Sequence, residues 1–140
     1  MCIRDSPRRL VPFVIESLLQ NQITKTTHGN QVRDYMYVED VANAFVKLLD
    51  SDLKGAINIA SGNPVKLAEI VKCIATKTGN EVLLKIGAIP AKEDEPRFIV
   101  ADVSRLTNEL FWRPTFNLST GLNKTIDWWK SKFLELSATN

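Results

Sequence analysis

The stretch QVRDYMYVEDVANAF sets Arg33 at the start of a β-branched and aromatic run, and acidic residues where that run meets a helical pattern. An arginine so placed beside a pocket makes a phosphate fork, because its planar donors match phosphate oxygens two at a time. The same spacing reads equally well as structure, with Arg33 and Asp34 as partners in an ion pair. Other chemistry-bearing residues point elsewhere. The single histidine, His28, stands in a polar loop beside Gly29 and reads as an exposed turn residue, with no companion for a metal or a catalytic triad. Cys73, on a helix flank, reads as a small buried hydrophobe. Glu93, Asp94 and Glu95 lie in a loop between prolines and read as solvated surface rather than a metal or glycosidase site. Trp128 and Trp129 beside Lys130 fit a base-stacking patch, but at helical spacing they fit packing with Phe133 better. The glycines, at 29, 55, 62, 79, 87 and 121, have neither the GxGxxG nor the GxxxxGK[ST] spacing, and there is no GxSxG turn.

The elements that must carry these residues alternate. Val11, Val14, Ile15, Leu18 and Leu19 recur at helical spacing from Leu10, with Pro12 tolerable in a first turn. QITKTTHGNQ is polar and turn-rich. VRDYMYV is a strand, leading into a helix whose stripe is Val41, Ala44, Phe45, Leu48 and Leu49, with acids in its first turn to suit the dipole. GAINIAS is apolar almost throughout, as in a parallel strand buried on both faces. SGNP turns the chain. VKLAEIVKCIATKTG is a helix closed by Gly79, EVLLKIG a strand, AIPAKEDEP an exposed loop, RFIVAD a short strand, and SRLTNEL a short helix capped by Ser104. After WRPTF, a last helix carries Leu122, Ile126, Trp129 and Phe133 and frays into LSATN. The pattern is mixed α/β. A fully apolar strand between two helices wants neighbouring strands, and few are supplied, which points to a partner sheet.

Composition narrows the classes. The 140 residues are 44% hydrophobic and 24% charged with net charge +2, ordinary for one globular domain with a real core. That balance does not suit a polybasic nucleic-acid or membrane surface. No apolar run approaches the roughly 20 residues of a membrane span, and no secretory signal is recognisable. Two cysteines set no disulfide framework, so a cytoplasmic compartment is expected.

RDYMYVEDVANA resembles the RD-aromatic-x-x-V-[DE]-D-V-A-x-A signature of the extended short-chain dehydrogenase/reductases, the NAD-dependent epimerase/dehydratase family acting on nucleotide sugars. GAINIASGNPV, AKEDEPRFIVADVSRL, ELFWRPTFNLSTGLNKTIDWW and PRRLVPFVI resemble further family segments, in order, from residue 7 to 130. The resemblance implies the C-terminal, substrate-binding part of an extended Rossmann-type enzyme, with AINIAS as one strand of the Rossmann sheet beside small accessory strands. It implies NAD or NADP as cofactor, a nucleotide-sugar substrate and a homodimeric parent. In that family the cofactor lies on a Gly-rich turn, and a Tyr of a YxxxK pair exchanges a proton while the nicotinamide moves the hydride. Neither Tyr35 nor Tyr37 begins such a pair, so no catalytic or cofactor-binding residue is assigned and the chain is expected to be inactive alone. Arg33 matches the family arginine that binds the substrate diphosphate. Lys92 falls where a second diphosphate arginine is usual, keeping the charge without the fork. Asn63 matches an asparagine that contacts substrate. Asp94 and Phe111 each replace a usual glycine, and Asp34, Asp40 and Asp102 read as structural.

The opening MCIRDS has no structural period. It back-translates to ATG-TGT-ATA-AGA-GAC-AGY, which looks like the transposase end of a sequencing adapter. The expectation is therefore adapter over residues 1–6, the nucleotide-sugar-binding portion over 7–134 and a frayed tail over 135–140. The second reading is a stand-alone, non-catalytic nucleotide-sugar-binding or interaction module.

Overall fold

The structure is a computed structural model that describes residues 9–138. The expectations for residues 1–6 and for the last two residues of the tail lie outside the described residues. In chain order the elements are α1 (Leu10–Leu19), β1 (Thr24–Thr26), β2 (Val32–Asp34), α2 (Val38–Leu49), β3 (Pro64–Lys66), α3 (Leu67–Thr78), β4 (Leu84–Ile86), β5 (Phe98–Ile99), α4 (Ser104–Asn108) and α5 (Leu118–Ala138). β2 is the middle of a three-stranded sheet, antiparallel to β3 and parallel to β5, while β1 pairs in parallel with β4.

Two apolar centres result. The first packs one stripe from each long helix: Val11, Ile15 and Leu18 of α1, Ile70 and Ile74 of α3, and Leu122, Ile126 and Trp129 of α5. These are the positions that the helical period marks. Trp129 is buried against Phe133, with ring centroids 6.0 Å apart, so the tryptophans serve packing rather than base stacking. Half-buried Cys73 packs against the same centre. The second centre gathers Met36, Ala44, Leu106, Leu110 and Trp112, and the Trp112 indole N–H donates to Asn43 Oδ1 at 2.8 Å.

Several expectations are corrected. GAINIAS is not a strand: residues 55–60 run without ladder partners. An apolar run becomes a strand only when another strand accepts its hydrogen bonds, and none of the described strands lies alongside. Ile57 and Ile59 instead rest half-buried on the second centre. Phe45 and Leu49 of the expected α2 stripe are exposed with Val46, while Ala44 is buried and Val41 and Leu48 are half-buried on the second centre. The polar TKT segment forms β1, its Thr24 and Thr26 buried beside β4. VRDYMYV pairs only through Asp34 before α2 begins at Val38, and Pro64–Lys66 is a strand rather than helix start. Ser104 is not the cap of α4 but its first residue, behind Val103, and Asp102 Oδ1 accepts its backbone and hydroxyl hydrogens. α5 stays helical to Ala138 instead of fraying after residue 134.

Candidate functional site

β2 decides where the site lies. Its central place in the sheet buries Arg33, which is 8% exposed. The guanidinium donates from Nη1 to Val32 O at 2.8 Å and from Nη2 to Glu95 Oε1 at 3.1 Å. The ion-pair partner is thus Glu95, not Asp34, and Glu95 is no solvated bystander of its loop. The second Glu95 oxygen accepts from Gln31 Nε2 at 2.8 Å. Gln31 is 3% exposed, and its own Oε1 has no hydrogen-bond partner. Two of the five N–H donors of a guanidinium are used in these bonds.

The residues of this Arg33–Glu95–Gln31 group line two cavities. Arg33 lines a space of about 260 Å³ with Asp34, Ile59, Ala60 and Ile99. Gln31 and Glu95 line a space of about 420 Å³ with His28, Lys92 and Arg97. Arg33 and Lys92 therefore line different cavities, Lys92 sharing its own with Glu95. His28 is exposed, as a turn residue should be, yet it shares this cavity, its Nδ1 accepting the Asn30 N–H at 3.0 Å.

Asn63 lies apart from both. It is exposed in the turn before β3, donating to Ser61 O at 3.3 Å. With Tyr35, Ser61, Phe116 and Asn117 it lines a third cavity of about 290 Å³. Tyr35 forms a buried part of that lining, and burial pushes its phenol above the ordinary value of 10.0, a rise opposed by nearby Arg33 and Arg9 and aided by Glu95. Asp34 and Asp40 are structural, as expected. Asp34 takes the Ser61 N–H and hydroxyl on Oδ1 (3.0 and 2.6 Å) and the Gly62 N–H on Oδ2 (2.8 Å). Asp40 takes the Thr115 and Phe116 N–H groups, both at 2.9 Å.

Sequence reasoning missed Glu95 and Gln31. The available signal was one acid among three in a charged loop and one glutamine two residues before Arg33; neither reveals which carboxylate reaches back across the sheet. Among the described residues no group of three His, Cys, Asp or Glu side chains could hold a metal ion, and no helix is long and apolar enough to cross a membrane. The described helices open behind Arg9, Tyr37, Lys66 and Val103 rather than behind a Gly-rich turn.

Residues 3–60 match the family model described as NAD dependent epimerase/dehydratase family. CDP-abequose synthase of Salmonella muenchen is 27% identical over 126 residues, 88% of this chain and 43% of that protein. UDP-glucuronic acid decarboxylase 1 of Xenopus tropicalis is 31% identical over 133 residues, 91% of this chain and 30% of that protein. The chain thus spans less than half the length of these relatives. The crystal structure of UDP-glucose 4-epimerase from Thermotoga maritima with UDP-glucose has the same fold, with a TM-score of 0.85 over 95% of this chain and 44% of that one at 23% identity. The family model over residues 3–60 and the curated relatives over most of the chain agree on the NAD-dependent epimerase/dehydratase family of extended short-chain dehydrogenase/reductases.

Proposed function

We propose that this chain grips the nucleoside-diphosphate-sugar substrate of an NAD(P)-dependent epimerase, dehydratase or reductase, and that alone it catalyses nothing. The observation that carries this reading is Arg33: a nearly buried guanidinium lining a cavity and, among the described residues, paired with one carboxylate, on a surface loop. Burial strengthens its charge–charge contacts, and the planar fork suits a diphosphate. Lys92 adds a point charge in the larger cavity, and Asn63 offers its amide to the sugar. NAD or NADP, held by residues other than those described here, would supply hydride transfer.

Titration calorimetry of the chain with UDP and UDP-glucose tests the assignment. Arg33→Ala should weaken both ligands about 10- to 100-fold, the loss expected for charge-assisted hydrogen bonds. Lys92→Ala should weaken both a few-fold and flatten the salt dependence. Asn63→Ala should affect UDP-glucose and spare UDP. Equal affinities for the parent chain and Arg33→Ala would remove Arg33 from the site and the reading with it.

A further inference from the structure

The Glu95 carboxylate sits where an oxyanion would. Gln31 and Arg33, two residues apart at the start of β2, hold one of its oxygens each, at 2.8 and 3.1 Å. A phosphate presents the same pair of adjacent, charged acceptor oxygens to such donors. The two donors are deep, Gln31 and Arg33 both being buried, whereas the Glu95 side chain is 34% exposed and its loop neighbours Glu93 and Asp94 are exposed. The loop is fixed just beyond, where Val32 N–H donates to Arg97 O at 2.8 Å, and it turns just before, where Glu95 N–H meets Lys92 O at 3.3 Å. Glu95 can therefore leave its partners through a local change between these two points. Of the Gln31 side chain, Glu95 occupies only the amide N–H; the Gln31 Oε1 beside the cavity has no partner among the described residues.

We propose that Glu95 is the site's stand-in anion: it occupies the Gln31–Arg33 donor pair until a phosphate takes its place, and so sets the affinity of the fork for phosphate. This rests on the reading of Arg33 as a phosphate fork. Ligand binding then exchanges one anion for another, the buried guanidinium is never left uncompensated, and release of Glu95 frees the segment between Lys92 and Arg97. Glu95 acts as a specificity-determining residue, because an incoming anion must outcompete a bridging carboxylate: a multiply charged pyrophosphate can, while chloride or acetate cannot.

The probe is inorganic pyrophosphate with the full chain. Calorimetry should show Glu95→Gln binding it at least tenfold more tightly than the parent chain, while Asp94→Asn, which removes the same charge from the same loop, stays within about twofold. Hydrogen exchange read by mass spectrometry gives the second measurement. Saturating pyrophosphate should speed exchange at residues 93–95 severalfold in the parent chain, and Glu95→Gln should exchange fast with or without it. Equal tightening by Glu95→Gln and Asp94→Asn would reduce Glu95 to a general field effect and overturn the proposal, as would exchange at residues 93–95 that pyrophosphate leaves unchanged. Pyrophosphate binding that depends on Arg33 but not on Glu95 sinks the stand-in role alone. Absence of pyrophosphate binding to both the parent and Glu95→Gln sinks the phosphate fork and this proposal together.

Discussion

Asp34 and Asp40 hold opposite walls of the same cavity. Asp34 fastens the Ser61–Gly62 turn and Asp40 fastens Thr115 and Phe116. The space between those two loops is the one that Asn63, Phe116 and Asn117 line. Two acids from a single short segment thus turn local sequence into a shaped surface. In each case a buried carboxylate takes backbone donors that no strand or helix uses.

Asp40→Asn measures one of these walls. The residue is 2% exposed, and both of its oxygens accept backbone N–H groups. The amide keeps one acceptor and points N–H groups at the other donor. Bonds to a charged group are worth about 1.5–3 kcal/mol each, so the variant should lose about 2–3 kcal/mol in urea unfolding with an unchanged m value. A loss below about 0.5 kcal/mol would show that the 115–116 loop is held by other means.

Gly62 is fixed by the opposite wall. It sits at φ +72°, and a Cβ there would lie 2.6 Å from Val103 Cγ2. Gly62→Ala meets two separate penalties, left-handed backbone and overlap, together about 2–3 kcal/mol. Adding Val103→Ala opens the overlap and leaves the backbone strain. Gly62→Ala should therefore cost less in a Val103→Ala background than in the parent chain, while the double variant still falls short of Val103→Ala alone. Full recovery would mean that the backbone conformation is costless there.

What was legible in the sequence follows from where the information resides. α1, α3 and α5 show plainly because Ile15, Ile70, Ile74 and Ile126 answer only to helical period and burial. Arg33 stands out because its neighbours form a dense local signature. Its partner did not, since Glu95 reaches it from 62 residues away and nothing local separates it from Glu93 or Asp94. GAINIAS failed as a strand for the same reason: pairing is a property of two segments, and apolarity speaks for one. TKT failed in reverse, with threonines carrying a buried strand through hydrogen bonds such as that from Thr24 Oγ1 to Gln22 O at 3.2 Å. Ser104 was a fair choice of cap by type, but the helix begins at Ser104 itself, whose N–H Asp102 accepts from just outside the N-terminus.

Phe111 offers a gain in stability. It leaves α4 at φ 53° with its ring 84% exposed, while the next residue, Trp112, closes its N–H on Leu106 O at 3.1 Å. An aromatic in the left-handed region costs about 1–2 kcal/mol, of which glycine returns part as chain entropy. Phe111→Gly should stabilise the chain by about 0.5–1 kcal/mol and raise its melting temperature by a few degrees. Destabilisation would mean that the exposed ring has a packing role.

The alkaline limb of stability reports on Tyr35 and, through it, on the Arg33–Glu95 pair. Burial raises the Tyr35 phenol above 10.0 against the pull of Arg33 and Arg9, with Glu95 pushing the same way as burial. The folded chain then keeps a proton that the unfolded chain gives up. Its contribution is fully present below pH 10 and is lost as pH rises through the folded value, so stability falls across that window. The chain has two tyrosines, so in Tyr37→Phe the absorbance of phenolate near 295 nm follows Tyr35 alone. Its midpoint should lie above 10.0, and Tyr35→Phe should remove that part of the alkaline loss. Glu95→Gln, which deletes a negative neighbour, should move the midpoint down, and Arg33→Ala should move it up. A midpoint indifferent to both variants would show that the pair lies outside the phenol's electrostatic reach.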